Sequence, residues 1–229
     1  MRIVLTFKGD NVSHLKPRDI RNFCGSITDQ KFNKIIMYHG NESPPILYKL
    51  PYSYAVEIDF YNNDFYAFSH LMERLQENKN NFFGMKIHKI IPRNDGYVPP
   101  FYAGDEKILY TTRTPILTTA NQLEVNMNFG AEKNGKMDEY VLLRLKRSLS
   151  HQLKCYTGID QKFENLEIEF DDLKVFTEKY KEGVNKIGVF ANFYANYQLP
   201  EMVGYATGLG YGQLVRGIKK DFDKKDEQC

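Results

Sequence analysis

The chain reads as an α+β protein made of two consecutive halves, and three observations lead there. Short β-branched runs alternate with segments of helical periodicity. The order of strands and helices in the first half returns in the second with different residues. A stretch from Pro92 to Gly104, holding Pro99, Pro100 and two glycines, has the chemistry of a linker between them. The halves are set at 1–95 and 105–220, with 221–229 as a charged tail.

Arg2 to Phe7 is a β-branched run, closed by a Gly9-Asp10-Asn11 turn, and Pro17 opens the first helix. Ile20, Phe23, Cys24 and Ile27 hold one helical face, but Lys31 interrupts it. Phe32, Ile35 and Ile36 then begin another, so two helices are expected, the second capped by Thr28 or Asp29 and closed by Gly40. Pro44 and Pro45 form a turn, Tyr54 to Phe60 a strand, Asp64 to Gln76 a helix, and Asn81 to Ile91 a last strand region. In the second half a strand is expected near Leu109 to Thr119 and an extended stretch near Val125 to Phe129, followed by a helix from about Met137 to Tyr156. Leu166, Ile168 and Phe170 alternate with Glu167, Glu169 and Asp171 as a half-buried strand does. Lys186 to Ala195 is a further strand, Leu199-Pro-Glu-Met starts a short helix, and Gln213 to Lys219 is the last strand.

Composition narrows the function classes. Among 229 residues, 42% are hydrophobic and 26% charged, which is globular and not disordered. The net charge of +2 is too mild to mark a nucleic-acid binder by bulk charge, so a phosphate-binding surface has to come from clustering. Cys24, Cys155 and Cys229 are too far apart for a C-x-x-C site, which suits a reducing compartment. The N-terminus turns charged too early for a secretory signal and no apolar run is long enough to span a bilayer, so a cytoplasmic location is expected.

Five clusters could carry chemistry. On the long second-half helix, Leu142, Leu145, Leu149 and Leu153 share one face, while Arg144, Arg147, His151 and Lys154 line another. Such a stripe would meet successive phosphates, though a solvated face looks the same. The densest glycine cluster, Val203 to Gly217, contains Gly208, Gly210 and Gly212. Its backbone N–H groups suit an anion cradle, with Arg216 and Lys219 beside it, and equally a tight structural turn. It lacks the Lys-Ser/Thr ending of a phosphate-binding P-loop. His39, at a helix end that favours the imidazolium, suits acid–base work, with Tyr38 beside it and Lys49 shortly after on the same loop. The alternative is a histidine that merely caps the helix. Phe190, Asn192 and Tyr194 share a strand face and are read as packing residues; Glu167, Glu169 and Asp171 are read as a wet strand face, and no metal or cofactor is expected.

From the glycine cluster backwards, the second half resembles a known family. Thr114-Pro-Ile, the helix ending at Thr157-Gly158, Gly188-Val-Phe-Ala-Asn-Phe and Leu199-Pro-Glu-Met-Val-Gly-Tyr-Ala-Thr-Gly-Leu-Gly follow the order found in the CRISPR-associated repeat-RNA-processing endoribonucleases of the repeat-associated mysterious protein (RAMP) superfamily. The first half matches through its β-start, two short helices and Tyr38-His39-Gly40. The resemblance implies two tandem ferredoxin-like (RRM-like) βαββαβ domains with a C-terminal glycine-rich loop. It implies metal-independent cleavage of CRISPR repeat RNA, single-stranded or hairpin, by 2′-hydroxyl attack. His39 would move the proton, Tyr38 or Lys49 would steady the charge, and the glycine loop with Arg216 would touch the RNA backbone. A non-catalytic RNA-binding subunit of a CRISPR effector complex is the alternative within the same superfamily. Further partners on this reading are other effector subunits or a second copy of the chain. A small-ligand or protein-binding module is a third reading.

Overall fold

The computed structural model describes residues 1–38, 44–61, 64–95, 97–104, 106–117, 133–181 and 184–218, with the backbone alone for 133–138 and 181. The chain divides into two compact units. The first is Met1–Val98 together with Gly208–Gly210; the second runs from Pro99 to Thr207 and resumes at Tyr211.

In the first unit, β1 (Arg2–Phe7) buries Ile3 and Leu5 on one face and Val4 on the other, as a central strand does. Helix α1 (Pro17–Ile27) begins with proline at its first turn, and the Asp19 carboxylate accepts the Lys16 backbone N–H at 3.0 Å. Thr28 ends α1 by donating its hydroxyl to the Cys24 carbonyl at 2.9 Å. Asp29 holds the N-cap position of α2 (Gln30–Ile36) without a side-chain cap bond, because its carboxylate pairs with Arg74 at 3.1 Å. Strands β2 (Ile46–Tyr52) and β3 (Ala55–Phe60) form a hairpin. Helix α3 (Phe65–Glu77) is capped by Asp64, whose carboxylate accepts the Ala67 N–H at 2.9 Å, and β4 (Ile87–Arg93) completes the unit. The strand order β2-β3-β1-β4, antiparallel throughout, is the split βαββαβ arrangement of a ferredoxin-like domain, with its first helix broken in two. Its core joins Ile3, Leu5, Ile20, Cys24, Ile36, Tyr48, Ile58, Phe60, Leu71 and Leu75.

Strand β2 replaces the expected loop between the Pro44-Pro45 turn and Tyr54. Ile46 and Tyr48 are buried on the core side and pair across to Phe60 and Ile58, and Pro51 is tolerated because β2 is an edge strand.

The second unit contains β5 (Phe101–Tyr102), β6 (Ile108–Thr112), β7 (Ile116–Leu117), α4 (Lys133–Thr157), β8 (Ile168–Lys181), β9 (Val184–Ala195), β10 (Tyr197–Gln198) and β11 (Leu214–Arg216). Strand β9 is central. It pairs with β8 along one edge and with both β6 and β7 along the other, while β11 pairs with β6. The order β11-β6-β9-β8 again matches a ferredoxin-like sheet, with α4 as the first crossover. Thr112 marks where β6 leaves β9, its hydroxyl accepting the Ala191 N–H at 2.8 Å in place of a ladder bond.

Three expectations change here. The second crossover is not helical: Leu199 to Met202 forms no helix, and the only helical turn between β10 and β11 among the described residues is a 3₁₀ turn at Thr207–Leu209. Tying Met202 to Gln213 by a β-bridge and the Leu214 N–H to the Glu201 carbonyl at 2.8 Å overrides the helix-start pattern of Pro200. On α4 the buried stripe is Val141, Leu145, Leu149 and Leu153, each four residues on, and Leu142 is half-exposed. Finally, β8 extends to Lys181, well past the alternating segment, with a bulge between Phe170 and Asp172. The extended stretch expected near Val125 to Phe129 and the charged tail lie outside the described residues.

Candidate functional site

Within the second unit, the residues on either side of the glycine turn close on each other. Val203 donates its N–H to the Gly212 carbonyl at 2.9 Å, and Gly212 donates its own to the Pro115 carbonyl at 2.8 Å. A side chain on Gly212, at φ +75°, would collide with the Val203 carbonyl, so glycine is required by the backbone approach itself. The Tyr205 N–H reaches the Leu117 carbonyl at 3.0 Å. The amide of Gly212 is therefore not open to an anion, which corrects its expected place in an anion cradle. Gly208 lies in the 3₁₀ turn and Gly210 follows at φ +90°.

Helix α4 holds this hairpin through two polar side chains. Ser148 Oγ accepts the Gly204 N–H at 2.8 Å and donates to the Gly204 carbonyl at 3.2 Å. Gln152, nearly fully buried, donates its amide to the Met202 carbonyl at 3.2 Å. Arg144 lies four residues before Ser148 and His151 three after it, so both flank the hairpin anchor on one helix surface. The expected basic stripe and the glycine segment thus meet at Ser148. Neither Ser148 nor Gln152 emerged from the sequence; the signal available was a glutamine set against the apolar stripe of a long helix.

The cations of α4 differ in availability. Arg147 and His151 are exposed, and the His151 Nε2 lies 3.7 Å from Cys155 Sγ. The Arg144 guanidinium stacks over the Tyr140 ring at 5.0 Å from its centroid. Lys154 pairs with Asp160 at 2.8 Å, and that hydrogen bond raises the lysine pKa and lowers the aspartate's. Both partners are exposed, so a phosphate can replace the carboxylate. Arg216, at the end of β11, donates to the Gln198 side chain at 3.2 Å. Lys219 lies outside the described residues.

In the first unit Tyr38 and Lys49 do not lie on one loop. Tyr38 is half-buried just beyond α2, whose last turn is fixed by the Tyr48 hydroxyl donating to the Ile36 carbonyl at 3.0 Å. Burial holds the Tyr48 phenol well above its usual range. Lys49, the next residue in β2, points to the opposite face of the sheet. Only 2% of it is exposed, and its ammonium lies 2.6 Å from Asp59 and 3.3 Å from Glu57, in a network that also binds Arg2 to Asp59 at 2.6 Å. The expectation that Lys49 sits on a loop after the Pro44-Pro45 turn is corrected: it lies in β2, in a buried charge cluster on the far side of the strand. His39 and Gly40 lie outside the described residues.

Glu167, Glu169 and Asp171 are exposed, with Glu169 paired to Lys107 at 3.0 Å. Among the described residues no three His, Cys, Asp or Glu side chains converge as a metal site, and no helix is long and apolar enough to cross a membrane. Phe190 stacks on Phe176, and Asn192 is buried and accepts the Thr111 hydroxyl at 2.7 Å, as packing residues do.

No family model and no curated protein matches this sequence. Solved structures do match the fold. One described as the CRISPR RNA processing endoribonuclease Cas6b is 19% identical, with 94% of this chain and 97% of that one aligned at a TM-score of 0.53. A second Cas6b structure is 16% identical, at a TM-score of 0.59 over 94% and 98% of the two chains. A Cas6 product complex is 12% identical, also at 0.59 over 94% and 98%. The chain therefore has the tandem ferredoxin-like fold of those proteins across nearly its whole length.

Proposed function

We propose that this chain is a metal-independent endoribonuclease that cuts CRISPR repeat RNA to guide length. The observation that carries this reading is the second-unit assembly, in which a glycine hairpin is bolted to a helix bearing Arg144, Arg147, His151 and Lys154. Placed on the fold shared with CRISPR RNA processing endoribonucleases, it supplies a cationic surface for the ribose-phosphate backbone. On this reading Gly208, Gly210, Arg216 and Lys219 also contact the RNA.

Cleavage proceeds by attack of a ribose 2′-oxygen on the adjacent phosphorus. The 2′-hydroxyl loses its proton as the new P–O bond forms, and the departing 5′-oxygen gains one as the old bond breaks. The products are a 2′,3′-cyclic phosphate and a 5′-hydroxyl. His39 serves as the proton carrier, an imidazole being the side chain whose ordinary pKa lets it both take and give a proton near neutrality. Tyr38 donates a hydrogen bond to the charged phosphoryl oxygens. Lys49 takes no part, since its charge is already neutralised inside the sheet.

The test is incubation of the purified protein and His39→Ala with labelled repeat RNA of its source genome in EDTA. Loss of cutting with RNA affinity retained in the variant supports this assignment. Tight binding without cutting by the native protein contradicts it and favours a non-catalytic RNA-binding subunit.

A further inference from the structure

The turn of the β2–β3 hairpin carries two tyrosines that the fold does not use. Tyr52 and Tyr54 stand side by side with ring centroids 5.4 Å apart and planes only 6° from parallel, and they are 58% and 52% exposed. The backbone beneath them is fixed. Phe7 donates its N–H to the Tyr54 carbonyl at 2.9 Å, and Val12 donates to the Ser53 carbonyl at 2.7 Å. Phe7 ends β1 and Val12 lies in the β1–α1 connection, whose Val12 and Leu15 are buried in the core of the same unit.

That connection is also cationic. Lys8, Lys16 and Arg18 are exposed and enter no salt bridge among the described residues. The nearby Asp19 is engaged by the Lys16 backbone N–H, leaving Asp10 as the other carboxylate of this stretch. A rigid parallel aromatic pair beside a fixed basic loop matches the chemistry of a nucleotide, a flat base joined to an anionic phosphate. Two fixed side chains with two soft torsions each lose little entropy when a base joins their stack.

We propose that Tyr52 and Tyr54 form a stacking platform for one unpaired base of the bound RNA, with Lys8 and its neighbours taking the adjoining phosphate. The proposal rests on the RNA-binding reading of the chain and adds a base-binding subsite in the first unit.

The experiment measures affinity of the full chain, native, Tyr52→Ala/Tyr54→Ala and Tyr52→Phe/Tyr54→Phe, for repeat RNA. A matching set of RNAs carries one abasic site at each unpaired position in turn. Loss of one stacked base lowers affinity by about tenfold. The alanine variant should show that loss on intact RNA while the phenylalanine variant binds as native. One abasic position should weaken the native protein to the same degree and have no further effect on the alanine variant. The platform is refuted if the alanine variant binds intact RNA as tightly as native, or if every abasic site affects the two proteins equally. Failure of the native protein to bind any repeat RNA would instead overturn the RNA reading and the platform with it.

Discussion

Replacing Ser148 by alanine isolates the link between α4 and the glycine hairpin. The serine hydroxyl accepts the Gly204 N–H at 2.8 Å and returns a bond to the Gly204 carbonyl at 3.2 Å. A net contribution of about 1 kcal/mol per hydrogen bond gives about 2 kcal/mol for the pair. Alanine's better helix propensity offsets about 0.5 kcal/mol of this, leaving about 1.5 kcal/mol. For a chain of this size that corresponds to a fall of about 3–6 °C in melting temperature. Ser150 provides the control: it sits on the same helix, makes no side-chain hydrogen bond among the described residues and should become alanine without loss. Thermal unfolding followed by circular dichroism reads stability, and RNA titration reads function. Ser148→Ala should bind repeat RNA severalfold more weakly at a temperature where it is fully folded, and Ser148→Thr, which keeps the hydroxyl, should bind nearly as native. Equal melting temperatures and equal affinities for Ser148→Ala and Ser150→Ala would refute the reasoning.

Three further outcomes follow from the geometry. Lys49→Met removes the ammonium 2.6 Å from buried Asp59 and 3.3 Å from Glu57 and should destabilise the protein by about 3 kcal/mol in urea titration, yet leave the cleavage rate of the folded protein unchanged. A rate loss without a stability loss would return Lys49 to the chemistry. Gly212→Ala, at φ +75° against the Val203 carbonyl, should cost well over the about 1 kcal/mol expected of Gly9→Ala, since Gly9 has φ +86° but open space around it. Equal melting shifts for the two would contradict the hairpin closure. Arg147→Ala should weaken RNA binding alike for all sequences and reduce the slope of log affinity against log salt by about 0.7–0.9; an unchanged slope would remove that arginine from the phosphate surface.

Much of the fold was legible because the periodicities were clean. The α1 start at Pro17, the break into two helices at Thr28 and Asp29 and the helix beginning at Asp64 all follow from local chemistry. Strand β2 was not legible: Ile46 to Tyr52 is interrupted by Lys49 and Pro51, and a lysine there reads as loop until Asp59 and Glu57 on the neighbouring strand are known to neutralise it. Pairing across ten residues is not a local signal. The same holds for Leu199 to Met202, where Pro200 suggests a helix start but Met202 is committed to a bridge with Gln213 and no helix forms. At the site, the basic stripe was readable from helical spacing, and its meeting with the glycine segment was not, because that depends on one serine hydroxyl. Tyr52 and Tyr54 carried no signal, since their stacking is made by the hairpin turn.

Cleavage by the RNA's own 2′-hydroxyl depends on one oxygen atom. Two repeat RNAs identical except for hydrogen in place of the 2′-hydroxyl at the cleavage site are incubated with the native protein in EDTA, and the product ends are analysed. Both RNAs should bind equally, only the hydroxyl-bearing RNA should be cut, and its fragments should end in a 2′,3′-cyclic phosphate and a 5′-hydroxyl. Cutting of the deoxy-substituted RNA, or products ending in a 5′-phosphate, would contradict cleavage by the 2′-hydroxyl.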